Sequence, residues 1–123
     1  MDNLIIVNFN AARCGNSDKV RHLANVVEAY LPSIVCIQEI NVRSALKEFS
    51  SRYQVFINLE SDSRDGVGMV SLVKLGIKVD DVIVGYNGRI IGVKCGNMQI
   101  CNVYPKSGSA CKKERECFFF RKI

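Results

Sequence analysis

The chain has 123 residues, enough for one domain with a modest core and too few for two. Its 48% hydrophobic and 24% charged residues exclude a disordered or low-complexity protein, and no run approaches the roughly 18 apolar residues of a membrane span. The net charge of +5 is concentrated in residues 106–123, which hold six basic against two acidic residues, while the rest holds eleven against ten, so charge alone does not make this a nucleic-acid binder.

Residues 4–9, Leu-Ile-Ile-Val-Asn-Phe, predict a buried strand, because the run is short, rich in β-branched residues and does not alternate. A loop from Ala11 to Asn16 follows, with Ser17 as the expected N-cap and Asp18 in the first turn of a helix running to about Leu31. Val20, Leu23, Ala24, Val27, Tyr30 and Leu31 give that helix one apolar face, and Pro32 ends it. Residues 33–38 form a second buried strand, which completes a βαβ unit with parallel strands. A short helix is expected over 43–50.

From Tyr53 the pattern changes to strands near 53–58, 67–74, 77–84, 89–94 and 98–104. Turn signals separate them at Asp65-Gly66, Leu75-Gly76, Asn87-Gly88 and Gly96-Asn97, of which Asn87-Gly88 is the strongest hairpin signal. A loop at 106–109 and a last helix from about Ala110 complete the reading. The class is α/β (α+β) with a mixed sheet and a βαβ start.

The six cysteines are never two to four residues apart in the way structural zinc sites require, and Cys36 and Cys101 lie in apolar runs. The start Met1-Asp2-Asn3-Leu4 lacks the basic and apolar regions of a secretory signal. Reduced thiols in an intracellular protein, nuclear or cytoplasmic and not secreted, are the expectation.

Parallel strands of a βαβ unit bring their C-terminal ends to one edge, where open α/β sheets place ligands. Those ends carry Asn8 and Asn10 on the first strand and Gln38 and Glu39 on the second, a set of oxygen ligands of the type Mg²⁺ prefers. From spacing alone Glu39 reads equally as a solvated residue that opens a loop. Tyr104, likewise, reads as a half-buried strand aromatic with a wet hydroxyl.

The stretches Ile5-Ile6-Val7-Asn8-Phe9-Asn10 and Ile34-Val35-Cys36-Ile37-Gln38-Glu39, with a helix between, resemble the opening of the endonuclease/exonuclease/phosphatase superfamily. Gly66-Val67-Gly68-Met69-Val70-Ser71-Leu72-Val73 is similar to its glycine-led central strand. Asn87-Gly88-Arg89-Ile90-Ile91 and Asn102-Val103-Tyr104 are similar to the strand pair leading into its Asn-x-Tyr-x-Pro loop. The tail, Ser107-Gly108-Ser109, Glu114-Arg115 and Phe118-Phe119, is most like the apurinic-type endonuclease of non-LTR retrotransposons. The pieces run in order along essentially the whole chain, as the N-terminal half of such a domain.

The resemblance implies a partial four-layer α/β sandwich: two sheets face to face with helices outside. It implies a DNA-nicking, Mg²⁺- or Mn²⁺-dependent phosphodiesterase that acts on the phosphate backbone and uses no small-molecule cofactor. Glu39 would be the metal ligand, Asn8 would fix metal or phosphate by a hydrogen bond, and Tyr104 would offer its hydroxyl to a phosphate oxygen. Asn10 and Gln38 would be polar neighbours, Gln38 as a structural hydrogen-bonder, and Lys106, Ser107 and Ser109 would contact nucleic acid.

Several positions depart from the family pattern: Ala11 stands where glycine is usual, Ile40 where threonine is usual, and Tyr104-Pro105-Lys106 where Tyr-Ala-Pro is usual. The family's catalytic Asp-x-Asn strand and Asp-His pair would lie beyond Ile123, and the single histidine, His22, falls on the polar side of the first helix. The expectation is therefore an incomplete domain over 1–123 that is inactive alone for want of a general base. An inner sheet face left bare would promote self-association. The alternative is a non-catalytic basic module that binds nucleic acid or another chain through its tail.

Overall fold

Residues 4–105 are described by the structure, a computed structural model. In chain order it comprises β1 (Ile6–Cys14), α1 (Ser17–Glu28), β2 (Ile34–Asn41), α2 (Val42–Phe49), β3 (Tyr53–Asn58), β4 (Val67–Lys74), β5 (Asp81–Gly85), β6 (Ile90–Cys95) and β7 (Met98–Val103). The expected last helix, Lys106, Ser107, Ser109 and Phe118 to Phe120 lie outside the described residues.

Capping chemistry sets the helix starts. Asn16, rather than Ser17, is the N-cap of α1, its Oδ1 accepting from the Lys19 amide at 2.9 Å. Asn41 does the same for α2, accepting from the Ser44 amide at 3.0 Å. The helix α1 ends at Glu28, short of the expected Leu31, because Leu31 turns to a positive φ of 48° before Pro32.

Two sheets form, one ordered β1-β2-β4-β3 and the other β5-β6-β7. As the βαβ reading requires, β1 and β2 are parallel; every other pairing is antiparallel. Alternate residues of β2 and β4 face opposite ways. Val35, Ile37, Val70 and Leu72 pack under Val20 and Val27 of α1 and Val42, Ala45 and Phe49 of α2. Ile34, Cys36, Met69 and Val73 pack against Ile91 and Val93 of β6. The larger sheet is thus covered by helices on one face and by the smaller sheet on the other. Burial on both faces is the reason the centres of β2 and β4 are dominated by apolar residues on successive positions rather than alternating.

The bare inner face expected from the sequence is corrected by this packing: β5, β6 and β7 already cover β2 and β4. The cover stops short of β1, where Ile6 is 46% exposed although its register partner Ile34 is 1% exposed. The first strand of the hairpin pair is also shorter than expected. Residues 77–80 form no strand, and β5 begins only at Asp81.

Cys14, Cys36, Cys95 and Cys101 are free thiols. Burial pushes the thiol pKa of Cys36 and of Cys95 up. Cys111 and Cys117 lie outside the described residues.

Candidate functional site

The expected strand end at Gln38 and Glu39 is in fact a bulge inside β2. On the β1 side, the register runs from Asn10↔Gln38 to Cys14↔Ile40, so Ala11, Ala12 and Arg13 stand against Glu39 alone. On the β4 side it runs from Ile37↔Val70 to Ile40↔Gly68, so Gln38 and Glu39 stand against Met69 alone. Both neighbours therefore break register at Glu39, which has a φ of 59°. Strand bulges re-aim side chains, and here two consecutive residues of β2 reach the same strand, β1, from the same side. Gln38 Nε2 donates to Asn8 Oδ1 at 2.8 Å, and Glu39 Oε2 accepts from Asn10 Nδ2 at 2.6 Å. Asn8 and Asn10, two apart on β1, share one face. Glu39 and Asn8 thus belong to the same side of the sheet.

Backbone strain gathers around this point. The non-glycine residues with positive φ among the described residues are Ala12, Arg13, Leu31, Glu39, Tyr86 and Asn87. Ala12, Arg13 and Glu39 make up the bulge, and Tyr86 and Asn87 lie on the turn that carries Gly88 to the site. Such conformations cost about 1–3 kcal/mol each and cluster where function imposes them.

A buried amide network lies beneath Glu39. Asn102 of β7, 1% exposed, accepts from Gln38 Nε2 at 2.8 Å. Its Nδ2 donates to the Val70 carbonyl at 3.0 Å and to Ser71 Oγ at 3.1 Å. Asn102 therefore satisfies groups on β2 and β4 from the opposite sheet, tying the second layer to the bulge. Gln38 is accordingly occupied on both sides by protein partners.

Above the network is a cavity of about 330 Å³ with Glu39 and Tyr104 in its wall. Asn8 and Asn10 are not in the wall, and Asn10 reaches it only through its bond to Glu39. Three arginines not singled out in the sequence also line it: Arg13, Arg64 and Arg89. Arg13 is ion-paired with Asp65 and Arg89 with Glu60, which ties the 59–66 loop to β1 and β6. Arg64 is exposed and has no ion-pair partner among the described residues. The Val67 amide, ahead of Arg13, holds the Asp65 carboxyl below its ordinary range. Burial pushes the Tyr104 hydroxyl up, and the negative charge of Glu39 adds to it.

Arg13 and Arg64 are isolated basic residues that no sequence pattern marks, and Arg89 stands only inside the family-like Asn87-Gly88-Arg89-Ile90-Ile91 stretch. The glycine before Arg89 is legible in the sequence as a turn signal, but its closeness to Glu60 is seen only in the folded chain. A Cβ at Gly88, φ 87°, would stand 2.7 Å from Glu60 Cγ and 3.1 Å from the Glu60 amide nitrogen. That closeness requires glycine.

A hard cation suits the donors present: one carboxylate, Glu39, with carboxamide and phenol oxygens nearby. Among the described residues no group of three His, Cys, Asp or Glu side chains converges.

No family model matches the sequence, and no curated relative does. Solved structures match well. An AP endonuclease from Archaeoglobus fulgidus superposes with a TM-score of 0.61 and 18% identity, over 84% of this chain and 41% of that one. TDP2 from Caenorhabditis elegans gives 0.59 and 17%, over 85% and 34%. The endonuclease domain of TRAS1, a telomere-specific non-LTR retrotransposon, gives 0.56 and 21%, over 95% and 54%. The fold is of the endonuclease/exonuclease/phosphatase type. The chain spans 34–54% of the length of these three neighbours. At these identities the endonuclease/exonuclease/phosphatase likeness concerns architecture, and it agrees with the two facing sheets and outer helices seen here.

Proposed function

We propose that the chain is the N-terminal half of a divalent-metal-dependent phosphodiesterase domain that nicks DNA, of the retrotransposon type, and that this half alone is inactive. The observation that carries the reading is the bulge at Glu39, which aims a carboxylate into an arginine-lined cavity beside Asn10 and Tyr104. The three structural neighbours are an AP endonuclease, TDP2 and a retrotransposon endonuclease, and they support DNA as the substrate class.

In this reading Glu39 holds Mg²⁺ or Mn²⁺, with Asn10 steadying its carboxylate. Such an ion supplies Lewis acidity and charge neutralisation at a scissile phosphate. Tyr104 donates its hydroxyl to a phosphate oxygen and Asn8 hydrogen-bonds at the rear of the pocket. Tyr104 suits a donor's role, because burial and Glu39 keep its hydroxyl protonated. Among the described residues the cavity holds no histidine and its other carboxylates, Glu60 and Asp65, are ion-paired. Among the described residues of the cavity no free base stands ready to activate water, which supports the reading of inactivity.

The test is Mn²⁺ affinity, measured by the loss of the free-ion electron paramagnetic resonance signal in wild type and Glu39→Ala. Binding that weakens at least tenfold in the variant supports the reading; equal binding in both sinks it. A second reading, a non-catalytic basic module, is favoured by the six basic residues of 106–123. It requires DNA affinity that falls steeply with salt and that vanishes when Lys112, Lys113, Arg115, Arg121 and Lys122 are neutralised. As further partners of the chain we propose copies of itself, associating through Leu4, Ile5 and Ile6, which are 40–46% exposed on and beside an edge strand.

A further inference from the structure

Arg89 lines the same cavity as Glu39, yet its charged head is turned toward protein. Its Nη2 is ion-paired with Glu60, and its Nη1 donates to the Tyr104 carbonyl at 3.4 Å. Its own carbonyl accepts from the Tyr104 amide at 2.8 Å. The guanidinium carbon lies 5.3 Å from the centroid of the Tyr104 ring, within cation–π range. The side chain is 12% exposed, and its Nε is the single buried side-chain polar atom without a hydrogen-bond partner among the described residues.

An orphaned buried donor is costly, and a shorter or differently placed cation would avoid it. What the arrangement secures in return is the ring. Tyr104 follows the last residue of β7 and packs by its body against the inter-sheet core. Arg89 grips it by backbone, by side chain and by face, and Glu60 fixes Arg89 in turn. Gly88 lets Glu60 approach closely enough to do so.

We propose that Arg89 is a positioning residue that holds the Tyr104 ring in the wall of the cavity it shares with Glu39 and does not itself bind the phosphate. The catalytic use of that placement rests on the phosphodiesterase reading above; the placement itself does not. Lysine cannot replace Arg89, because it lacks both the planar face and the forked donors.

The experiment is carbon-13 nuclear magnetic resonance of the chain labelled at the tyrosine ring ζ carbons, recorded without metal at neutral pH. Tyr104→Phe assigns the Tyr104 signal by removing it. In Arg89→Met the Tyr104 resonance is expected to move, because the guanidinium over its ring is gone. The Tyr30 and Tyr53 signals are expected to stay in place. Arg89→Lys should not restore the wild-type resonance position, because lysine lacks the planar face. An unmoved Tyr104 signal in Arg89→Met overturns the proposal, as does a change shared equally by Tyr53, which would indicate general loosening. Should Arg89→Met not fold, Arg89→Lys decides: a displaced Tyr104 signal supports the proposal and an unmoved one overturns it. Failure to bind Mn²⁺ would overturn the phosphodiesterase reading while leaving this result standing.

Discussion

A left-handed backbone costs a non-glycine residue roughly 1–2 kcal/mol, and glycine loses roughly 0.5–1 kcal/mol of that relief to its own flexibility. Glu39, at φ 59°, meets this condition. Glu39→Gly should therefore stabilise the fold by about 0.5–1 kcal/mol in urea unfolding while removing Mn²⁺ affinity. A loss of stability would show that the carboxylate is there for structure. At Gly88 the expectation has the opposite sign. Alanine would collide with Glu60 and be strained at φ 87°, so Gly88→Ala should cost about 1–3 kcal/mol. At this scale the sequence was informative about residue type and silent about direction. Glu39, Asn8, Asn10 and Tyr104 stand out as oxygen-bearing residues after apolar runs. That Glu39 bends back toward Asn10 depends on a bulge created by three residues, Ala11 to Arg13, with no composition of their own. Arg13, Arg64 and Arg89 were missed for a related reason: they are grouped by loops meeting in space and by no spacing along the chain.

The elements that carried a strong apolar pattern were legible because their burial is uniform. Both β2 and β4 are enclosed on both faces, so runs such as Ile34-Val35-Cys36-Ile37 left no alternative. Ends were read less well. Residues Ala11 to Cys14 read as a loop and belong to β1, and the helix starts one residue earlier than expected, with Asn16 as its cap. One contact between elements makes a pH dependence. The Tyr53 hydroxyl of β3 donates to Glu28 Oε2 of α1 at 3.1 Å. Burial first, and Glu28 second, push the Tyr53 pKa up from 10.0 to about 12. The folded chain thus holds this proton more tightly than the unfolded one. Its stabilising contribution is complete below pH 10 and is lost as pH rises toward about 12. Wild type should lose stability across that window more steeply than Tyr53→Phe, as followed by circular dichroism; identical alkaline profiles would contradict the link.

Across the whole molecule, Asn102 is the polar joint between the two sheets. Asn102→Ala strips partners from Gln38 and Ser71 in a buried setting, so a loss of about 2–3 kcal/mol in urea unfolding is expected. The bared strip at Leu4, Ile5 and Ile6 should make the chain self-associate as concentration rises, and Ile6→Lys should reduce this in sedimentation velocity. Layer order was legible in outline from the βαβ start followed by hairpins. That the hairpin strands fold back over β2 and β4, and so leave only β1 uncovered, was not, because such long-range packing has no local signature.

The central claim is that the bulge builds a cation site out of Glu39 and its neighbours. Backbone amide spectra of the chain titrated with Mn²⁺, whose unpaired electrons broaden nearby signals, test it most directly. The expected result is broadening centred on Asn10, Glu39 and Tyr104 that disappears in Glu39→Ala. Broadening centred elsewhere, or unchanged in the variant, would contradict the claim.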